Sequence, residues 1–187
     1  VITNNQFRYN SGGAVTIASA GAALRRSLVK GNTHLLVEAR GTLFAAGVRI
    51  SAGTLEDCVI ADNVARGSSL ANTVYAGGVC IAAANTVVRR CVISGNSALG
   101  TAAAGGVYAA KGSTTPYHDL LVIDNVNATG LAGGIQAADA DATFAHCTVY
   151  GNTLTANASG TPGAYLAKAA LRNSIVYGNG TGSERFT

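Results

Sequence analysis

The chain has nine acidic residues and three histidines among its 187 residues, and few of them are spaced for chemistry. Asp62 and Asp124 each stand immediately before an Asn, in VIADN and LVIDN. Two carboxylates can divide general acid and base duties in glycoside cleavage when about 5–9.5 Å separates them. Asp139 and Asp141, in ADADA, could hold a cation, but calcium takes roughly six to eight oxygens and no further acids accompany them. His34, His118 and His146 have neither a Ser-x-Gly elbow nor an acid converging on them, so no nucleophilic triad is visible. Cys58, Cys80, Cys91 and Cys147 fit neither a zinc spacing nor a small disulfide scaffold. No metal or cofactor is therefore expected. Tyr108, Tyr150, Tyr165 and Tyr177 remain as candidate ligand-binding residues, because rings on a rigid surface stack on sugars while polar neighbours bond hydroxyls.

The surroundings of these groups are poor in charge. Charged residues make up 12% of the chain, the net charge of +4 is scattered, and no run of Lys or Arg occurs. Nucleic acid is thus not an expected partner. No apolar stretch is long enough for a transmembrane segment. Gly is abundant at 24 residues, while Met and Trp are absent. Small residues at this density suit closely stacked backbone better than a core of large side chains. The chain begins at Val1 and reads as one domain over residues 1–187, a fragment of something longer.

The elements that must position the candidates emerge from self-similarity. Six apolar runs end in Asn: LRRSLVKGN at Asn32, LEDCVIADN at Asn63, VRRCVISGN at Asn96, YHDLLVIDN at Asn125, FAHCTVYGN at Asn152 and LRNSIVYGN at Asn179. A second motif alternates with them: GGAVTI from Gly12, AGVRI from Ala46, GGVCI from Gly77, GGVYA from Gly105, GGIQA from Gly133 and PGAYL from Pro162. VITNN at the start reads as the tail of a further coil. The segments are short, rich in β-branched residues and bounded by Gly and Asn, which excludes helical repeats. Coils of short strands, stacked ~4.8 Å apart, turn residues some thirty apart into vertical neighbours.

Columns follow from this register. Three residues before each Asn stand Val29, Ile60, Ile93, Val122, Val149 and Val176; five before stand Ser27, Cys58, Cys91, Leu120, Cys147 and Ser174. Both should point inward, with the cysteines acting as small apolar residues. The apolar column eight before each Asn has the opposite parity, which requires a bend in between. Asn is read as an inward ladder of stacked amides, since each amide both donates and accepts. Seven and six before the Asn, Arg25, Glu56, Arg89 and Arg26, Asp57, Arg90, Asp119 alternate in sign and should pair coil to coil. Asp62 and Asp124 fall two coils apart, with Gly95 between them. His118 and His146 fall one coil apart in neighbouring columns. Cys80 lies in an outward column with Arg49, Tyr108, Gln136 and Tyr165, where partial exposure is expected.

Repeats of GGV-x-I followed by L-x-x-C-V-I-x-G-N resemble the right-handed parallel β-helix superfamily. More narrowly, they are similar to repeats of polymorphic outer-membrane, autotransporter-passenger-type and large bacterial surface proteins. The resemblance implies an all-β solenoid of about six coils of 27–33 residues, and an extracellular or cell-surface setting. It implies a non-enzymatic structural or adhesive rod, presenting faces to a glycan or surface protein and able to self-associate through its coil ends. A carbohydrate-active lyase or hydrolase is the alternative, because family enzymes use carboxylate clusters, sometimes with calcium. THLLVEARGTLFA after Asn32 and VARGSSLANTVYA after Asn63 are expected as partner-contacting loops.

Overall fold

Triplets such as Val59–Ala61 and Val92–Ser94 are too short and too β-branched to propagate a helix, and they pair with their repeats instead. The computed structural model describes residues 1–8, 12–37, 41–67, 73–99, 101–110, 116–137, 142–155, 160–180 and 185–186. Every strand pairing among them is parallel. The register matches the sequence repeat: Ile60 lies beside Val29 on one side and Ile93 on the other.

Three sheets enclose the main core. A seven-stranded glycine sheet, exemplified by Val48–Ile50 and Val79–Ile81, follows each Gly-Gly motif. A six-stranded corner sheet includes Gly53–Glu56 and Thr86–Arg89, and a seven-stranded ladder sheet includes Val59–Ala61 and Val92–Ser94. Val29, Ile60, Ile93, Val122 and Val149 from the ladder sheet are fully buried against Leu55, Val88, Tyr117 and Phe144 from the corner sheet.

The two segments expected as loops are mostly strands. Thr33–Leu36 leaves the Asn outward and Thr42–Ala45 returns, and Val64–Gly67 and Thr73–Ala76 repeat the excursion. These strands build a fin with its own core of Leu36, Leu43, Ala46, Ala65, Val74 and Ala98. Apolar alternation within THLL and TLFA carries the signal, and burying that stripe stabilises more than leaving it in solvent.

Where the fin joins the main body, the coil narrows to a waist. On one side stand the ladder amides, all of Asn32, Asn63, Asn96, Asn125 and Asn152 fully buried. Asn63 illustrates the repeating geometry. Its Oδ1 accepts from Asn32 N–H at 3.0 Å and from Asn32 Nδ2 at 2.9 Å. Its Nδ2 donates to Asn96 Oδ1 at 2.9 Å and to the Val29 carbonyl at 3.1 Å. The ladder runs from Asn5 to Asn179, so VITNN contributes a seventh rung. On the other side of the waist lies Gly-Gly backbone. A Cβ on Gly106 would meet the Gly134 carbonyl at 2.7 Å and the Asn125 amide at 3.0 Å. Glycine is needed there for close approach, not for an unusual φ.

Asn96→Ala should therefore cost more than one hydrogen bond. It takes the acceptor from the Asn63 backbone N–H, one of two acceptors from Asn63 Nδ2 and the amide donor from the Ile60 carbonyl, each buried group left unsatisfied costing about 1–3 kcal/mol. Denaturant unfolding is expected to place Asn96→Ala at least about 3 kcal/mol below the parent, with Gly106→Ala also destabilised by about 1–3 kcal/mol.

Candidate functional site

The bend required by the parity of the columns is a left-handed residue six before each Asn. Arg26, Asp57, Arg90, Asp119, His146 and Asn173 all have φ between 44° and 56°. The residue five before each Asn then turns inward beneath the corner. There it does more than fill space. The Cys58, Cys91 and Cys147 thiols donate to the carbonyls of Glu56, Arg89 and Ala145 at 3.1, 3.2 and 3.3 Å, as the Ser27 and Ser174 hydroxyls do to Arg25 and Arg172. Hydroxyl or thiol caps of this kind offset the carbonyls that a sharp turn exposes.

Charges on this corner form the ladder expected from their alternating sign. Arg25 and Arg89 approach Glu56 at 3.2 and 2.6 Å, and Arg90 meets Asp57 through two bonds of 2.7 and 3.2 Å. Hydrogen bonding from Arg89 holds Glu56 below the usual carboxylate range, and Arg90 does the same for Asp57. Higher up, an acid does converge on the histidines. His118 Nδ1 lies 2.7 Å from one Asp119 oxygen and His146 Nδ1 lies 3.8 Å from the other. Stacking created this cluster, since His146 is 27 residues from Asp119. Among the described residues, no group of three His, Cys, Asp or Glu is arranged to hold a metal ion. Asp139 and Asp141 lie outside the described residues.

Asp62 and Asp124 occupy a second left-handed column, immediately before the Asn, with φ of 53° and 54°. Gly31, Gly95, Gly151 and Gly178 share it, at φ of 60–66°. A Cβ on Gly95 would collide with the Asp62 carboxylate, and one on Gly151 with that of Asp124. Each Asp thus sits over the glycine of the next coil, and Asp62 also pairs with Lys30 at 3.3 Å. Asp tolerates this conformation because its short side chain bonds locally, which accounts for both residues without chemistry. No acid stands between them to complete a catalytic pair.

The four candidate tyrosines divide between two faces. Tyr150 and Tyr177 stand on the outer face of the ladder sheet, 41% and 55% exposed, their ring centroids 4.6 Å apart. Exposed Leu121 and Ile175 flank them, and Val59 continues the apolar strip along the same face. Tyr150 packs over Gly178, as Asp124 packs over Gly151, so its ring is held in place from the coil above. Tyr108, by contrast, is half-buried in the re-entrant corner between the glycine sheet and the fin, and Tyr165 is half-buried on the glycine sheet beside Gln136. Tyr108 stacks on Tyr75 at 4.7 Å, Tyr75 on Phe44 at 5.6 Å, and Arg49 lies 3.9 Å above the Phe44 ring. Cys80, expected to be partly exposed, is buried beneath these rings with Ala45 and Ala76. Its outward direction was legible, but the fin that covers it was not. Between Tyr108 and Tyr165, Gln136 is buried and its Oε1 has no hydrogen-bond partner among the described residues. At the last coil, Leu166, Leu171, Ser174 and Val176 line a cavity of about 670 Å³.

The family model described as a right handed beta helix region matches residues 2–184. No curated protein and no solved structure matches the chain. Among the described residues, no helix is long and apolar enough to cross a membrane.

Two substitutions separate a conformational role from a chemical one for the acids. Asp62→Gly should leave stability nearly unchanged, whereas Gly95→Ala should lower it by about 1–2 kcal/mol, read from thermal or urea unfolding. Acid titration tests the corner. Glu56 and Asp57 titrate lower folded than unfolded, so their contribution is full above pH 4.5 and is lost as pH falls through the folded values. Melting temperatures should therefore decline on the acid side, with a shallower decline in Glu56→Gln.

Proposed function

The chain belongs to the right-handed β-helix family, and from that premise we propose that it is a non-enzymatic structural or adhesive module of an extracellular or cell-surface protein. The observation that carries this reading is the face bearing Tyr150 and Tyr177. Two half-open rings, stacked and flanked by Leu121 and Ile175, lie on a flat sheet whose backbone is fixed by the buried ladder. Such a face offers contact area that is already ordered, so little conformational entropy is lost when a partner binds. Tyrosine supplies an apolar ring for a sugar face and a hydroxyl for its polar groups. A glycan or a surface protein is the partner class that this chemistry suits. Self-association through coil ends belongs to the same reading.

The carbohydrate-active alternative is less well supported. Asp62 and Asp124 are engaged at left-handed corners, and Glu56 and Asp57 are engaged by arginines. Binding and turnover distinguish the two readings. On a glycan array and a panel of extracellular proteins, the parent is expected to bind, and Tyr150→Ala with Tyr177→Ala to lose at least about tenfold in affinity. Chain cleavage of uronic-acid polymers, with or without calcium, would overturn the non-enzymatic reading. Light scattering that stays flat with concentration would remove self-association from it.

A further inference from the structure

We propose that the tyrosine face takes an arginine side chain of a partner protein, its guanidinium held between the Tyr150 ring and the Asp124 carboxylate. This rests on the reading of that face as a contact surface and specifies what it contacts. Asp124 and Tyr150 are neighbours by register. Ile123 lies beside Tyr150, which sets Asp124 beside Gly151, and the Asp124 N–H donates to the Tyr150 carbonyl at 3.1 Å. Both side chains lean toward the following coil: the Asp124 carboxylate lies against Gly151, and the Tyr150 ring lies against Gly178 one coil further along. Consecutive coils are ~4.8 Å apart, so carboxylate and ring follow one another along a single edge of the sheet. Tyr177, on the next coil, stacks on one face of the Tyr150 ring, and the other face is turned toward the side on which Asp124 lies.

Charge selects the occupant. Asp124 is exposed, and among the described residues no cation pairs with it. Its counterpart Asp62 has Lys30, which stands two before the Asn of the preceding coil; at Asp124 that position holds Ser94. Leu121–Ile123, Thr148–Tyr150 and Ile175–Tyr177 carry no Lys or Arg. At the opposite edge of the face, Asp119 is engaged by His118 and His146. An exposed carboxylate beside exposed rings thus stands on a face without Lys or Arg of its own, in a chain of net charge +4. A guanidinium stacks on a tyrosine ring while its N–H fork donates to a carboxylate; a compact ammonium stacks less well, and a neutral sugar leaves the carboxylate uncompensated. The ring half of this arrangement already occurs within the molecule, where Arg49 lies 3.9 Å over Phe44 at the end of the Phe44–Tyr75–Tyr108 stack.

Fluorescence anisotropy of a labelled peptide of alternating Gly and Arg, titrated with the folded chain, tests the proposal. The same peptide with Lys or with citrulline in place of Arg is titrated beside it, citrulline keeping the planar shape without the charge. The Arg peptide is expected to bind about tenfold more tightly than the citrulline peptide, with the Lys peptide between them. Asn already stands in this left-handed column at Asn4, so Asp124→Asn keeps the backbone and should weaken Arg-peptide binding at least about threefold. Asp62→Asn, the same change at the paired counterpart, should leave binding unchanged. Absence of Arg-peptide binding would overturn the proposal, as would equal binding of the citrulline peptide or equal losses in the two Asp variants. Peptide binding untouched by Tyr150→Ala with Tyr177→Ala would also overturn it, by placing the contact elsewhere. A glycan that is lost in the tyrosine variant and kept in Asp124→Asn, with no peptide binding, would remove the arginine and leave the face as a contact surface.

Discussion

The waist of each coil is the constraint on which the other features depend. An Asn amide must be buried between two sheets, and a buried amide is tolerated only when its donors and acceptor are satisfied. Stacking solves this at every rung, because each Oδ1 takes two bonds from the coil below and each Nδ2 reaches both neighbours. The amide-to-amide bonds all run in one direction along the stack, an arrangement in which each polarises the next. Gly-Gly is the other half of the same device. Only backbone without Cβ can lie close enough to close the waist against the amides. The two motifs that alternate in the sequence are therefore the two walls of one contact.

Once the waist fixes the rung, the corners follow. Left-handed φ recurs at two positions per coil, and the residues found there are those that can occupy it with a local compensation. Glycine does so without a side chain. Asp62 and Asp124 do so with a carboxylate lying over a glycine, while Asp57, Arg90 and Asp119 extend into ion pairs. Residues that look like catalytic candidates in a linear sequence are thus distributed by backbone conformation. The same corner sets a Ser or Cys beneath it in five coils out of six, where a hydroxyl or thiol caps a carbonyl.

Surface properties are set by which rungs carry which residues. The ladder face becomes aromatic at its last two coils, through Tyr150 and Tyr177, whose column carries Lys30, Ala61, Ser94 and Ile123 below them. The re-entrant corner is filled by its own rings, so Phe44, Tyr75 and Tyr108 spend their faces on one another. An aromatic side chain on this scaffold serves either as an exposed platform or as an outer seal, depending on whether the fin reaches over it.

The sequence alone determined the stacking, the register, the Asn ladder and the alternating charges, because all of these follow from a repeat of fixed phase. Residues one period apart must be neighbours in any closed coil, and their chemistry can be read by aligning the motifs. It could not determine what lies across a coil, since those distances depend on where the chain turns outward. Only the tertiary structure decided that THLL and TLFA form a fin, and that this fin buries Cys80 and half-covers Tyr108. It alone placed Asp119 between His118 and His146. Periodicity specifies neighbours along the axis; closure of the ring by burial specifies neighbours around it.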